Sequence, residues 1–405
     1  MRSRLRVLCF ASLALFLAGA FFVLLRLSAV VQPFVNAEIE KAFGIPAGAG
    51  RVSLGVFPPA LVIEDLAVPP HMSVSRVRFS VSPASVVARE LVLAVDIEKP
   101  SLGGRRSKEG VLSWQGVQDR FLSYLRVPPP IPLRVAKVSI RAGRADLIDE
   151  LTGARVQVDG LTSSIGLGRG DEASITAGSP SVRVDFSDGR TISGRGEAAL
   201  QVAGRDVFIK KAAAVVDGMD FSGAGKVSLS SEGEIDLSWR ARGPIEKALL
   251  LAGRTEDGGG LFELEGKITG TLAAPLVRAG LAVTEGRIGP FRVERFSGEI
   301  SASRKGLSVG RGEAALFGGR ARGSAEIAWP DGRVRYAAEA VFASLRMEQI
   351  GPLVRRLNGG VPIVPGSISG RVDLKGDGGE PWPREGSVDV EFIGEKGSFL
   401  FPRTP

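Results

Sequence analysis

The chain has 405 residues, 44% hydrophobic and 24% charged, which suits two or three folded domains of roughly 100–200 residues each rather than a disordered polymer. A single cysteine, Cys9, and a single histidine, His71, leave no intramolecular disulfide and no Cys/His zinc site. The net charge of +8 arises from 52 Lys and Arg interspersed among 44 Asp and Glu, the pattern of a mixed solvated surface rather than of a nucleic-acid-binding tract.

The first predicted element is a transmembrane helix at residues 7–25. Val7 to Leu25 carry no charge, and at about 1.5 Å per residue they nearly match a hydrocarbon core of roughly 30 Å. Arg2, Arg4 and Arg6 precede the run and only Arg26 follows closely, so the positive-inside rule places the basic tail 1–6 in the cytoplasm and the rest across the membrane. Ala18-Gly19-Ala20 also fits a signal-peptide cleavage site. The apolar run continues through Phe21 to Leu25, however, where a cleavage region should turn polar, which favours a retained anchor. A short helix is expected at Asn36–Phe43, with Asn36 as its cap and Gly44 as its stop.

From there the period is almost everywhere two. Ile235, Leu237, Trp239 and Ala241 alternate with Glu234, Asp236, Ser238, Arg240 and Arg242. Phe262, Leu264, Ile268 and Leu272 do the same against Glu263, Glu265, Lys267 and Thr269, as do the runs around Tyr336 and Val390. Such alternation predicts antiparallel sheet with one apolar and one wet face. Asp188-Gly189, Asp217-Gly218, Asp331-Gly332 and Asp377-Gly378 are hairpin dipeptides, and 53 Gly, about twice the usual share, suit many turns. Helical spacing interrupts the strands at Val117–Arg126, Ile245–Ala252 and Met347–Leu357. The Pro-rich stretch 127–132 marks a linker.

Internal repetition organises the second half of the chain. Gly194-Arg195-Gly196-Glu197-Ala198-Ala199-Leu200 recurs identically at Gly310–Leu316. Gly266-Lys267-Ile268-Thr269-Gly270-Thr271-Leu272 matches Gly366-Ser367-Ile368-Ser369-Gly370-Arg371-Val372, with a strand pair and a helix expected between the two motifs in each copy. The expected organisation is a β domain at 26–126, the linker 127–132, a β-rich module at 133–304 and a second, shorter module at 305–405.

Catalytic motifs are near misses. Gly306-Leu307-Ser308-Val309-Gly310 fits the nucleophile-elbow spacing but falls in an alternating run with no later histidine. Gly266-Lys267 lacks the spacing and hydroxyl of a phosphate loop. Glu263 with Glu265, and Asp389 with Glu391, could pair as acid and base, yet the same spacing arises on any wet strand face. The reading is therefore non-enzymatic, with no catalytic residues, no metal and no cofactor.

The order of elements resembles a known family. A basic N-terminus and single apolar span, a short helix ending Ala42-Phe43-Gly44-Ile45, the strand Arg51-Val52-Ser53-Leu54-Gly55, a Pro-Pro turn and the strand ending Ile63-Glu64-Asp65-Leu66 look like the opening of AsmA-like proteins. The run Leu264–Pro275, followed by Ala315–Gly323, is similar to C-terminal modules of the AsmA and TamB relatives. The resemblance implies a bacterial inner-membrane protein whose bulk lies in the periplasm. It also implies an elongated, curved β-groove that carries phospholipid or assists outer-membrane assembly.

An apolar sheet face must be covered by another sheet, by helices or by an apolar ligand. The chain offers either a closed sandwich or one curved sheet whose groove holds acyl chains. The candidate groove residues are Ile235, Leu237, Trp239, Phe262, Leu264, Ile268, Leu272, Ile327, Trp329 and Tyr336. The expected partners are phospholipid or another lipid, the membrane and envelope proteins, without nucleic acid. The alternative is a structural subunit of an envelope machine, like the type II secretion protein N group, which binds protein rather than lipid.

Overall fold

The period-two segments become strands: the chain is mainly β, with twenty strands and few helices among the described residues. The computed structural model describes residues 31–400 apart from 56–58, 83–84, 86–89, 126–132, 169, 171, 231–232, 252, 255–256, 290, 330–333, 351–365, 378–384 and 395–396. The expected span 7–25 with Arg2, Arg4, Arg6 and Arg26, the linker 127–132 and the turn Asp331-Gly332 lie outside these residues. Among the described residues no helix is long and apolar enough to cross a membrane. The chain divides into two compact units, Met1–Val202 and Ala203–Pro405.

In the first unit a helix over 31–43 (α1) precedes strands β1 (Arg51–Gly55), β2 (Ala60–Val68), β3 (Met72–Val81) and β4 (Leu91–Arg106), which form an antiparallel meander. Helix α2 (Gln115–Leu125) leads to β5 (Leu133–Asp149), followed by β6 (Ala154–Leu167), β7 (Glu172–Asp185) and β8 (Thr191–Ala203). The expectation of antiparallel neighbours throughout fails once. β5 runs parallel to β4 from the Leu91–Leu133 pair to the Arg106–Asp149 pair. A parallel neighbour requires a crossover, and the segment containing α2 supplies it.

The unit's core is one sheet face covered by α1. Val52, Ile63, Leu66, Val74, Val77 and Val95 are buried, with Val31, Val35 and Ile39 of α1 packed against them. The helix is already formed at residue 31, so Asn36 is not its cap. Its Oδ1 instead accepts the Ala49 N–H at 2.8 Å and fixes the chain leaving the helix. Gly44 does end α1: it sits at φ +68° and its N–H donates to the Glu40 carbonyl at 2.7 Å. Helix α2 docks on α1 through stacked Phe43 and Phe121 rings 5.1 Å apart and a 2.7 Å hydrogen bond from the Tyr124 hydroxyl to Glu38. That bond lowers the Glu38 pKa and raises that of Tyr124. His71 lies in the turn between β2 and β3.

The second unit is a succession of antiparallel neighbours. Its strands are β9 (Asp206–Val216), β10 (Met219–Ser228), β11 (Glu234–Pro244), β12 (Gly258–Thr271), β13 (Pro275–Ile288) and β14 (Phe291–Ser303). They continue as β15 (Gly306–Leu316), β16 (Gly319–Ala328), β17 (Arg335–Arg346), β18 (Gly366–Asp377), β19 (Glu385–Gly394) and β20 (Gly397–Leu400). Helix α3 (Ile245–Leu251) separates β11 from β12, and a helical turn at 347–350 follows β17. Asp217-Gly218 and Phe317-Gly318 both have positive φ at two successive residues, the backbone of a tight primed hairpin turn.

The repeated motifs fall on these strands with one difference from expectation. The identical heptapeptides lie in β8 and β15, and the Gly-x-Ile motifs in β12 and β18. Among the described residues, two strands and a helical turn lie between the two motifs of the second copy (β15 and β18), whereas three strands and α3 lie between those of the first (β8 and β12). Period-two patterning marks strands well but does not by itself count them across Gly-rich stretches such as Gly218–Gly233.

Candidate apolar binding face

Residues directly opposite in an antiparallel pair share a face, so the register of the second unit can be followed across the sheet. Leu237 of β11 pairs with Ile268, Ile268 with Val277, Val277 with Ala302, Ala302 with Leu307, Leu307 with Ile327, and Ile327 with Tyr336. A parallel row runs from Trp239 through Gly266, Ala279, Ile300, Val309, Ala325 and Ala338 to Leu374. A third row joins Phe262, Val283, Phe296, Ala314, Ala321 and Phe342. One continuous face is apolar from β11 to β18.

The opposite face is charged, and part of its charge is ion-paired. Arg240 binds Glu265 and approaches Glu263 at 3.5 Å, Arg242 binds Asp220 at 2.9 Å, and Arg322 binds Glu313 at 3.2 Å. The Arg240 guanidinium is held charged more firmly, chiefly by its bond to Glu265. Glu263 and Glu265, the carboxylate pair noted in the sequence, thus both serve one arginine. Ser308 lies mid-strand, opposite Ser301 and Glu326, and β15 continues into a hairpin rather than a helix. A depression of about 540 Å³ among β15–β18 is lined by Ser308, Glu326, Glu339, Arg371, Asp373 and Lys375 together with Val309, Ala325, Ala338 and Leu374. Arg371 binds Glu339 at 2.7 Å and Asp373 at 2.9 Å, so much of its charge is internally matched.

Glycines show which way the sheet bends. On the apolar face of β12, a Cβ on Gly266 would run into the Arg278 carbonyl and come within 2.6 Å of the Ala279 Cα. Gly225 and Gly323 are crowded likewise, by the Cα atoms of Leu237 and Ala340 at 2.8 and 3.0 Å. On the wet face, a Cβ on Gly280 would meet nothing nearer than 4.0 Å, and one on Gly310 nothing within 4 Å. At Gly225, Gly266 and Gly323 the neighbouring backbone closes in on the apolar side, so the sheet bends toward that face there; on the wet face Gly306, at the start of β15, is crowded too, by the Ile327 carbonyl at 2.6 Å. Gly223 and Gly266 stand on either side of Trp239 and leave room for its indole.

The concave face is not sealed. Buried apolar side chains of this unit are Met219, Ala241, Ile245, Ala279, Leu345 and Ile350. Ile245 belongs to α3 and Ile350 to the turn at 347–350; Met219 fills the space beside Gly243. The larger side chains of the rows are only partly buried, and Ile327 is 38% exposed. This departs from the closed sandwich, in which inner-face residues would be covered by a second sheet. The Trp239 indole N–H is shielded from solvent and has no hydrogen-bond partner.

The structure brings together most of the residues named from sequence. Ile235, Leu237 and Trp239 of β11, Phe262, Leu264 and Ile268 of β12, Ile327 of β16 and Tyr336 of β17 share the concave face. Leu272 and Trp329 lie just beyond the ends of β12 and β16, in turns. Val277, Leu281, Phe296, Ile300, Leu307, Val309, Phe342 and Leu374 belong to the face but were not among the groove candidates named from sequence, although Phe342 lies in the alternating run around Tyr336. The alternation in Val277/Ala279/Leu281/Val283 and Phe296/Gly298/Ile300/Ala302 could have found half of them. No family profile matches this sequence, and no curated protein matches it significantly.

Proposed function

We propose that this is a membrane-anchored envelope protein that holds lipid acyl chains along the concave apolar face of its second unit. The observation that carries the reading is the in-register, partly exposed apolar face from β11 to β18, backed by partly ion-paired charge on the other side. A tail of about fifteen methylenes, half enclosed, would gain roughly 6 kcal/mol at about 0.8 kcal/mol per fully buried methylene. That is enough to hold a chain and weak enough to release it. Transfer would be passive and non-covalent. The uncharged run Val7–Leu25 supports a membrane anchor, and the arginine asymmetry around it supports a body outside the cytoplasm. The AsmA-like order of elements supports a bacterial inner-membrane site and a role in phospholipid transport or outer-membrane assembly.

Purified full-length protein, extracted for mass spectrometry, should yield phospholipid. A photoreactive residue at Trp239 or Phe296 should crosslink to that lipid, and one at Arg322 on the wet face should not. Absence of co-purifying phospholipid together with no lipid crosslink from Trp239 would defeat the proposal. Crosslinks from the same positions to protein would instead indicate a structural subunit of an envelope machine.

A further inference from the structure

The larger buried apolar side chains of the second unit lie along one side of the concave face. Met219 is 1% exposed, and Ile245, Leu345 and Ile350 are each 7% exposed. A Cβ on Gly243, near the end of β11, would meet the Met219 Cγ at 2.5 Å. A Cβ on Gly286 of β13 would meet the Val283 Cγ1 at 2.6 Å and the Ile245 Cδ1 at 3.6 Å, so Ile245 lies on the side of the sheet to which Val283 points, the concave side. At the start of β12, a Cβ on Gly258 would come within 2.6 Å of the Leu249 Cδ1. Helix α3 therefore leaves β11, crosses β12 and reaches β13, and it roofs that side of the face. Leu345 at the end of β17 and Ile350 in the turn after it repeat the cover six strands on. Beyond the cover the hairpin residues Ile288 and Phe291 are exposed, so the roof extends no further than α3 itself.

Back along β11 from Gly243 the situation reverses at Leu237. Leu237 faces Ile268, and Ile268 faces Val277. None of the three is buried, and among the described residues no apolar side chain on that side of the face is. The face thus runs along β11–β13 from a dry end under α3 to a wetter end at Leu237, Ile268 and Val277. Followed from strand to strand it shows no such change: Phe262, Val283, Phe296 and Phe342 are all partly buried. An amphiphile needs a wet place for its head and a dry one for its tail, and only the direction along the strands supplies both. The lengths agree. The stretch from Gly243 to Leu237 spans about 20 Å at roughly 3.3 Å per residue, and a tail of about fifteen methylenes is roughly 19 Å long when extended, with carbon–carbon bonds of about 1.5 Å.

We propose that a phospholipid held here lies along β11–β13 rather than across them, with its alkyl end against Met219 and Ile245 under α3 and its headgroup at the opposite side, beyond Leu237 and Val277. The inference rests on the lipid reading above and adds a direction to it. The test uses two phosphatidylglycerol probes, one with a diazirine at the terminal end of an acyl chain and one with the diazirine beside the glycerol ester. Full-length protein in proteoliposomes is irradiated with each, and the labelled residues are located by mass spectrometry. The terminal probe should label Met219, Ile245 and Leu249 over Leu237, Ile268 and Val277 by about fourfold or more, the factor for keeping one further methylene dry. The ester-proximal probe should show the reverse preference. Like patterns from the two probes, as a tail lying across the strands would give, or the opposite preferences, would overturn the direction while the lipid reading stands. No labelling of these six residues by either probe would defeat both.

Discussion

Gly266 has an open-looking surroundings only in sequence; in the folded unit its missing side chain admits the backbone of β13. A valine there must displace main chain rather than a flexible side chain, and overpacking of this kind costs about 1–3 kcal/mol. Gly266→Val should therefore lower the urea midpoint clearly, whereas Gly280→Val on the convex side should change stability by no more than about 0.5 kcal/mol. Equal effects at the two positions would mean that the sheet is not bent as described. Charged residues predict a pH response with a definite sign. Glu64 is held below its ordinary pKa by the bond from Arg76, Asp146 by Arg155, Asp185 by Arg183 and Thr191, and Asp206 by Lys226. These carboxyls bind protons less tightly folded than unfolded. Their stabilisation is complete above the ordinary carboxylate range near about 4 and is lost as pH falls through the lower folded values. The urea midpoint should stay flat from pH 7 to about 5 and drop below about 4. The drop should be modest and shrink in salt, because all four groups are solvent-screened.

At the scale of elements, α1 and α2 hold each other by a stacked ring pair and one short hydrogen bond. A double-mutant cycle on Phe43→Leu and Phe121→Leu should return a coupling of about 0.5–1.5 kcal/mol, measured by chemical denaturation. Coupling near zero would make the stacking incidental. These helices were legible because apolar spacing near 3.6 and a terminal glycine are local signals: α2 and α3 lie within two residues of expectation. The parallel partnership of β4 and β5 was not, since alternation along a strand says which way side chains face and nothing about the direction of the neighbour. Asn36 misled for a related reason. Asparagine favours helix caps, but its amide also serves any nearby stray N–H, and that of Ala49 was within reach.

For the second unit as a whole, the apolar face was readable wherever charges alternate strictly with large apolar residues, as in β11 and β12. It was harder to read in β15 and β16, where alanine and glycine occupy the inner positions. The choice between a sandwich and an open face could not be made from composition, because both need the same alternating strands; exposure of the inner side chains decides for the open face. The register of pairing carries a last consequence. From β10 to β19 each strand bonds only to the strands before and after it in sequence. Such a ladder is nearly one-dimensional: a disturbance in one rung reaches its two neighbours first, and no distant segment of the unit has to find its place for a hairpin to form. Its length is therefore a free variable. Adding or deleting a hairpin keeps the inside and outside of every remaining strand, so the extent of the apolar face can change in steps of two strands without redesign of the rest.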